Sequence, residues 1–261
     1  MGKSPSIQDL EARDREFANY LKGMRDELNA RADAMDQSLG DQIARWKAGT
    51  PDARILVSGR NLDFVHEPSF FFGQLLNGLQ AVAGAVFAGT GAPAGTTVEG
   101  AAQKEVKEVL GSAVEQPAAV ELLIAGKVFD VLGNVIYDFG TTASGTFSSG
   151  ITSKYLDLGM QMFVGVSEQA YNSESFFSNE TIYEYVYTYQ VFCSLKELKQ
   201  VTEQTIGRGL ANQITEFEHK MQRLPIPDDP MSDPGAKYDA LMKWYRDHIV
   251  AIEAQLRQWG H

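Results

Sequence analysis

The sequence has very little of the chemistry that usually identifies an enzyme or a metalloprotein. Its one cysteine, Cys193, excludes an intramolecular disulfide and with it the disulfide-stapled folds of small secreted proteins. No motif of a P-loop protein, zinc protease, serine hydrolase or EF-hand protein is present. The histidines are scattered and form no pair at metal-binding spacing; they are His66, His219, His248 and His261. We therefore expect no catalytic residue, no metal and no dissociable cofactor.

Positive charge is also scarce. The chain has 23 lysines and arginines against 34 aspartates and glutamates, which gives a formal net charge of -11. Such a surface repels nucleic acid and anionic lipid headgroups, because it has no broad basic region to displace their counterions. We expect no nucleic-acid partner. Any contact with a membrane must depend on apolar side chains or on a lipid.

The first ten residues contain Asp9 and no apolar stretch, so a classical signal peptide is not predicted. We expect a protein that is cytoplasmic in the cell that makes it. To reach host membranes, the protein would then need an export route that does not use a cleaved N-terminal signal.

A chain of 261 residues with 44% hydrophobic residues is long and apolar enough to bury a substantial core. We predict a helix-rich single domain of the α/β (α+β) class, with a small sheet, a long N-terminal helix and C-terminal helices. Within it we distinguish an N-terminal helical arm at 1–50, an α/β core at 51–224, and a proline linker with a C-terminal helix packed on the core at 225–261.

The N-terminal helix is predicted from apolar residues spaced by three, four or seven positions between Ile7 and Trp46. Gly49 and Pro51 end it, and Gly40 is a candidate break. Most such helices pack on their own core, which is the interpretation we favour. The alternative is an arm that binds a partner, such as a component of a secretion system.

The stretch from Pro68 to Val98 contains no charged residue. A buried core helix is favoured, because polar residues fall opposite most of the large apolar ones. A segment that inserts into a membrane after a trigger and a constitutive membrane span are the alternatives. The candidate membrane or lipid contacts in this stretch are Phe70, Phe71, Phe72, Leu75, Leu76 and Leu79.

Elsewhere the periodicity predicts helices at 97–112, 118–137, 195–224 and 236–259, and strands at 54–58 and 160–166. The uncharged stretch 139–153 is either a glycine-rich hairpin or a loop. Residues 181–192 are dominated by tyrosine and β-branched side chains, which favours a strand over a helix. In a strand, alternate positions from Tyr183 to Cys193 share one face.

Cys193 is open to three interpretations. It is a buried cysteine that packs as a small hydrophobe, a catalytic thiol served by a base such as His219 or His66, or a site of fatty acylation. The neighbours Val191, Phe192 and Leu195 argue against an exposed thiolate. An acyl chain, in contrast, would find apolar surroundings there.

The lone cysteine after a tyrosine-rich stretch (185–193), together with the uncharged Phe/Gly/Ala run from Phe70 to Gly95, resembles the Erwinia virulence factor Evf and its bacterial relatives. The resemblance implies an α/β fold of unusual topology, a buried palmitoylated cysteine, membrane association and toxicity toward an insect host. It assigns the acylated position to Cys193.

The leading hypothesis is therefore a membrane-associating virulence or toxin-like protein that is fatty-acylated at Cys193, with a lipid membrane or fatty acyl chain as its partner. The alternatives are a pore-forming effector that inserts residues 68–98, a soluble thiol enzyme, and an interaction module that works through its N-terminal helix.

Overall fold

The computed structural model describes residues 15–65, 95–113, 117–137, 147–172, 181–228 and 233–259, together with Ala81 and Ala85. In chain order the elements are α1 (Arg15–Gly49), β1 (Ala53–Val65), β2 (Thr96–Val98), α2 (Gly100–Ala113), α3 (Pro117–Tyr137), β3 (Phe147–Asp157), β4 (Met160–Asn172), β5 (Thr181–Ser194), α4 (Leu195–Leu198), α5 (Glu203–Arg223) and α6 (Asp233–Gln258). The predicted α+β fold class is confirmed.

The five strands form one antiparallel sheet in the order β2-β1-β5-β4-β3. The tyrosine-rich strand β5 lies at its centre, between β1 and β4. Its strand conformation confirms the interpretation favoured for 181–192. Because side chains alternate along a strand, a central strand needs apolar residues on both faces when both faces are covered. Val186 and Phe192 supply one face, and Tyr187, Tyr189 and Val191 supply the other.

Helix α1 covers the first of these faces. Its buried side chains recur at intervals of three, four or seven residues, so they form one stripe. They pack against Val186 of β5 and the rings of Phe163 and Phe192. The buried residues of α1 are Phe17, Leu21, Leu28, Ala32, Met35, Leu39 and Ile43. The helix runs through Gly40 without a break. It is a layer of the core.

The opposite face of the sheet is covered by the remaining helices. Helix α3 contacts β3 and β4, and α5 and α6 pack against α3. Helix α2 contacts β1 and α4. The largest apolar cluster lies between this helical layer and the sheet, and it includes Tyr187, Tyr189, Val191 and Cys193. The sheet is thus enclosed between one long helix and several shorter ones.

Several predicted boundaries were wrong, and strand β4, predicted at 160–166, continues to Asn172. Strand β1 does not end at Gly59 but continues to Val65, because Gly59 lies under the ring of Tyr189, where an added Cβ would come 2.6 Å from the ring. The predicted helix at 97–112 begins only at Gly100, because Thr96–Val98 pair with β1. The helix predicted at 195–224 is interrupted after Leu198, and Thr202 caps the second part through its hydroxyl and the Thr205 N–H.

Two further predictions concern the apolar segments. Within 139–153, residues from Phe147 onward form strand β3, which supports the hairpin interpretation for that part. The predicted core helix within 68–98 lies mostly outside the described residues, and so do all six candidate lipid contacts from Phe70 to Leu79. Among the helices that the structure describes, none is both long enough and apolar enough to cross a membrane.

Candidate functional site

Cys193 lies near the C-terminal end of the central strand β5. Its direct neighbours across the sheet are Arg54 on β1 and Met160 on β4. The side chain is fully buried within the apolar cluster between the sheet and the helical layer. Its Sγ atom lies 3.7 Å from the carbonyl oxygen of Ser194. The prediction of an apolar, enclosed thiol is therefore confirmed.

The electrostatic surroundings of Cys193 favour the neutral thiol. Burial, and then the negative charges of Asp52, Glu197 and Glu105, raise its pKa to about 12 from an ordinary value of 9.0. A catalytic cysteine requires the opposite, namely a nearby cation or a helix N-terminus that stabilises the thiolate. The thiol is thus protonated and poorly nucleophilic in the folded protein.

Asp52 binds the segment of chain that follows Cys193. One of its carboxylate oxygens accepts hydrogen bonds from the Lys196 backbone N–H at 2.7 Å and from the Ser194 hydroxyl at 2.9 Å. These bonds, the one from Lys196 most of all, lower the pKa of Asp52. The Ser194 hydroxyl in turn accepts a hydrogen bond from the Glu197 backbone N–H and caps α4. These hydrogen bonds connect Asp52 with the end of β5 and the start of α4, directly after Cys193 in the chain.

The turn between β3 and β4 packs against the same end of the sheet. The Ser194 N–H donates to the Gly159 carbonyl at 2.8 Å. Gly159 has a φ of 74° and lies so close to α4 that an added Cβ would come 2.9 Å from the Ser194 carbonyl oxygen. Glycine is needed here both for its backbone angle and for the close approach. The turn also buries Leu158 in the main apolar cluster.

Of the two residues proposed as partners for a catalytic thiol, His219 is not brought to Cys193. His219 is exposed on α5, and the charged groups that shift the pKa of Cys193 are all carboxylates. His66 lies outside the described residues. Within the described part of the chain, no group of three or more histidine, cysteine, aspartate or glutamate side chains is arranged to hold a metal ion.

A second cluster of charged side chains, centred on Lys127 and Asp130 of α3, was not predicted from the sequence. Both residues interrupt a largely apolar helix whose other charged residue is Glu121, and Asp130 is buried. A charged pair three positions apart on the apolar face of a helix was the available signal, because a buried charge requires a partner from another element. The partners themselves lie far away in sequence.

Comparison of the chain with models of protein families, with curated proteins and with solved structures gave no match. The site is therefore interpreted from its own geometry.

Proposed function

We propose that this protein associates with membranes as a virulence-type protein and carries a fatty acyl chain on Cys193. The observation that carries the proposal is the enclosure of the thiol in the apolar layer between β5 and the helices. An enclosed, protonated thiol is unsuited to catalysis, whereas a thioester at this position would carry no charge and would direct its chain into apolar surroundings.

The attachment is a transfer from an acyl thioester donor. The bond between Sγ of Cys193 and the acyl carbonyl carbon forms, the donor's carbon–sulfur bond breaks, and the proton of Cys193 passes to the departing thiolate. Because the folded thiol is buried and its pKa is about 12, we propose that the transfer precedes the closure of the core around β5.

The energetic effect of the chain depends on where it lies. Burial contributes about 0.8 kcal/mol per CH₂, so a palmitoyl chain contributes on the order of 10 kcal/mol when it is fully buried. One chain alone gives only marginal membrane binding, so stable attachment requires a second apolar contact. The uncharged residues from Phe70 to Leu79 are the proposed second contact, since the net charge of -11 opposes binding to anionic lipid.

Intact-mass spectrometry of the protein isolated from the cells that make it tests the acylation. We expect the mass of one palmitoyl group above the unmodified chain, its removal by hydroxylamine from the denatured chain, and its absence from Cys193→Ala. An adduct on the denatured chain that resists hydroxylamine would place the lipid elsewhere. A chain of unmodified mass from its native source would overturn the proposal.

The same preparation tests membrane association with a matched control. The acylated protein and the Cys193→Ala protein isolated from the same cells are floated with neutral phosphatidylcholine vesicles. We expect the acylated protein to float and the Cys193→Ala protein to remain below. Equal behaviour of the two samples would show that the acyl chain does not mediate binding.

A further inference from the structure

Six charged side chains meet where α3, β3 and α5 come together, and we call this cluster the ionic junction. Three are lysines and three are carboxylates, so the cluster is electrically balanced. Helix α3 contributes Lys127 and Asp130, β3 contributes Lys154 and Asp157, and α5 contributes Glu216 and Lys220.

Each of the two α3 residues binds both of the other elements. The carboxylate of Asp130, which is only 3% exposed, forms ion pairs with Lys154 of β3 and with Lys220 of α5. The ammonium group of Lys127 lies 3.6 Å from the carboxylate of Asp157 on β3 and 3.1 Å from that of Glu216 on α5. The junction thus links three elements by four ion pairs.

The balance of the junction depends on its carboxylates remaining ionised. Burial, and then the positive charge of Lys127, lower the pKa of Lys220 to about 8. The same two causes lower the pKa of Lys154. Protonation of the carboxylates would leave three ammonium groups at one seam without counter-charges. The Lys127 side chain is only 13% exposed, and a largely buried charge that loses its partners destabilises the contact that contains it.

Other titratable groups near α3 also have to be considered. From α6, His248 contacts the Leu122 carbonyl oxygen with Nε2 at 3.2 Å, and Tyr245 packs against Phe129. From β4, the side chains in the cluster under α3 are apolar, namely Met160, Met162 and Val164. On α5 itself, His219 and Arg223 are exposed. Among the buried groups, His248 is the one whose protonation on acidification must be separated from that of the junction.

We propose that the ionic junction is an acid-sensitive conformational device, in which proton uptake by its carboxylates separates the C-terminal half of α5 from α3 and β3. This half of α5 buries Gln213 and Phe217, and Phe217 packs against Trp244 and Tyr245 of α6. Its release exposes an apolar surface in an acidic environment. The inference does not depend on acylation of Cys193.

Hydrogen–deuterium exchange, corrected for the intrinsic pH dependence of exchange, tests the proposal in the full-length protein. It is measured from near-neutral pH down to the range where carboxylates ordinarily titrate, about pH 4. We expect residues 213–223 and β3 to lose protection at a higher pH than α1. In Asp130→Asn the same residues should exchange at least tenfold faster already at near-neutral pH.

Three further variants make the test decisive. Asp247→Asn removes a carboxylate from the exposed Lys243–Asp247 pair of α6 and should behave as the unaltered protein does. His248→Gln should retain the acid step. If Asp130→Asn does not fold, Glu216→Gln takes its place as the junction variant. The proposal is overturned if α5 and α1 lose protection together, if the junction variant matches Asp247→Asn, or if His248→Gln abolishes the step.

Discussion

At the scale of single residues, the surroundings of Cys193 leave little room for a polar replacement. The sulfur lies among apolar side chains, and it makes a long contact of 3.7 Å with the Ser194 carbonyl oxygen. A cysteine in such a position packs as a small hydrophobe. The residue is therefore part of the core whether or not it carries a lipid.

Two substitutions separate packing from polarity at this position. In the unacylated protein, Cys193→Ala removes one buried atom and should cost about 1 kcal/mol of the free energy of unfolding. Cys193→Ser preserves the volume but buries a hydroxyl group, and we expect it to be less stable than the alanine variant by about 1–2 kcal/mol. Urea denaturation measures both. A serine variant at least as stable as the alanine variant would indicate that water or a ligand reaches the site.

At the scale of elements, a single arginine connects α1 with the sheet through polar contacts. Arg60 of β1 donates to the carboxylates of Asp33 and Asp36 at 2.6 and 3.3 Å. It also donates to the side-chain oxygen of Asn29 at 3.1 Å and to its carbonyl oxygen at 3.3 Å. A planar guanidinium can make all four contacts at once, which a lysine cannot. These contacts and the buried apolar side chains of α1 together fix the position of the helix on the sheet.

Replacement of Arg60 should therefore loosen α1. Because the Arg60 side chain is 33% exposed, we expect a loss of only about 1–2 kcal/mol for Arg60→Gln, and nearly as much for Arg60→Lys. The matched control is Arg54→Gln on the same strand, since the Arg54 guanidinium makes a 3.9 Å ion pair with Glu105 and both side chains are about half exposed. Thermal unfolding and hydrogen exchange of residues 29–36 measure the difference. Equal effects of the two glutamine variants would contradict this role.

At the scale of the whole molecule, buried titratable groups limit the stable pH range from both sides. Burial lowers the pKa of His248 to about 4, although its hydrogen bond with Leu122 acts in the opposite direction. Burial also raises the pKa values of Tyr189 and Tyr245 to about 12, as it does for Cys193. As the pH falls, His248 takes up a proton at a higher pH in the unfolded chain than in the folded one. As the pH rises, Tyr189, Tyr245 and Cys193 lose their protons at a lower pH in the unfolded chain than in the folded one. Stability is therefore lost toward both extremes.

The acidic side has a specific test. The pKa of His248 falls from 6.5 in the unfolded chain to about 4 in the folded one, so its contribution is complete above about pH 6.5 and is lost as the pH falls through about 4. The loss should be on the order of 3 kcal/mol. His248→Gln, which can still donate to the Leu122 carbonyl, should flatten the global unfolding free energy over this interval. An unchanged slope would assign the acid sensitivity to other groups.

The sequence by itself determined the features that depend on local periodicity. The stripe along α1, the alternation along β5 and the apolar setting of Cys193 follow from the order of side chains, because a helix repeats every 3.6 residues and a strand every two. The boundary at Gly59 was wrong for a related reason. Glycine interrupts a strand pattern, but here the ring of Tyr189, which belongs to a distant part of the chain, fills the space above it.

Only the tertiary structure decided the strand order β2-β1-β5-β4-β3 and the partners of Lys127 and Asp130. The tyrosine-rich strand was predicted, but not its central position between β1 and β4. The charges of α3 were visible, but not the residues of β3 and α5 that neutralise them. Strand pairing and ion pairs join residues distant in sequence, and their free energy depends on burial and distance, which local periodicity does not contain.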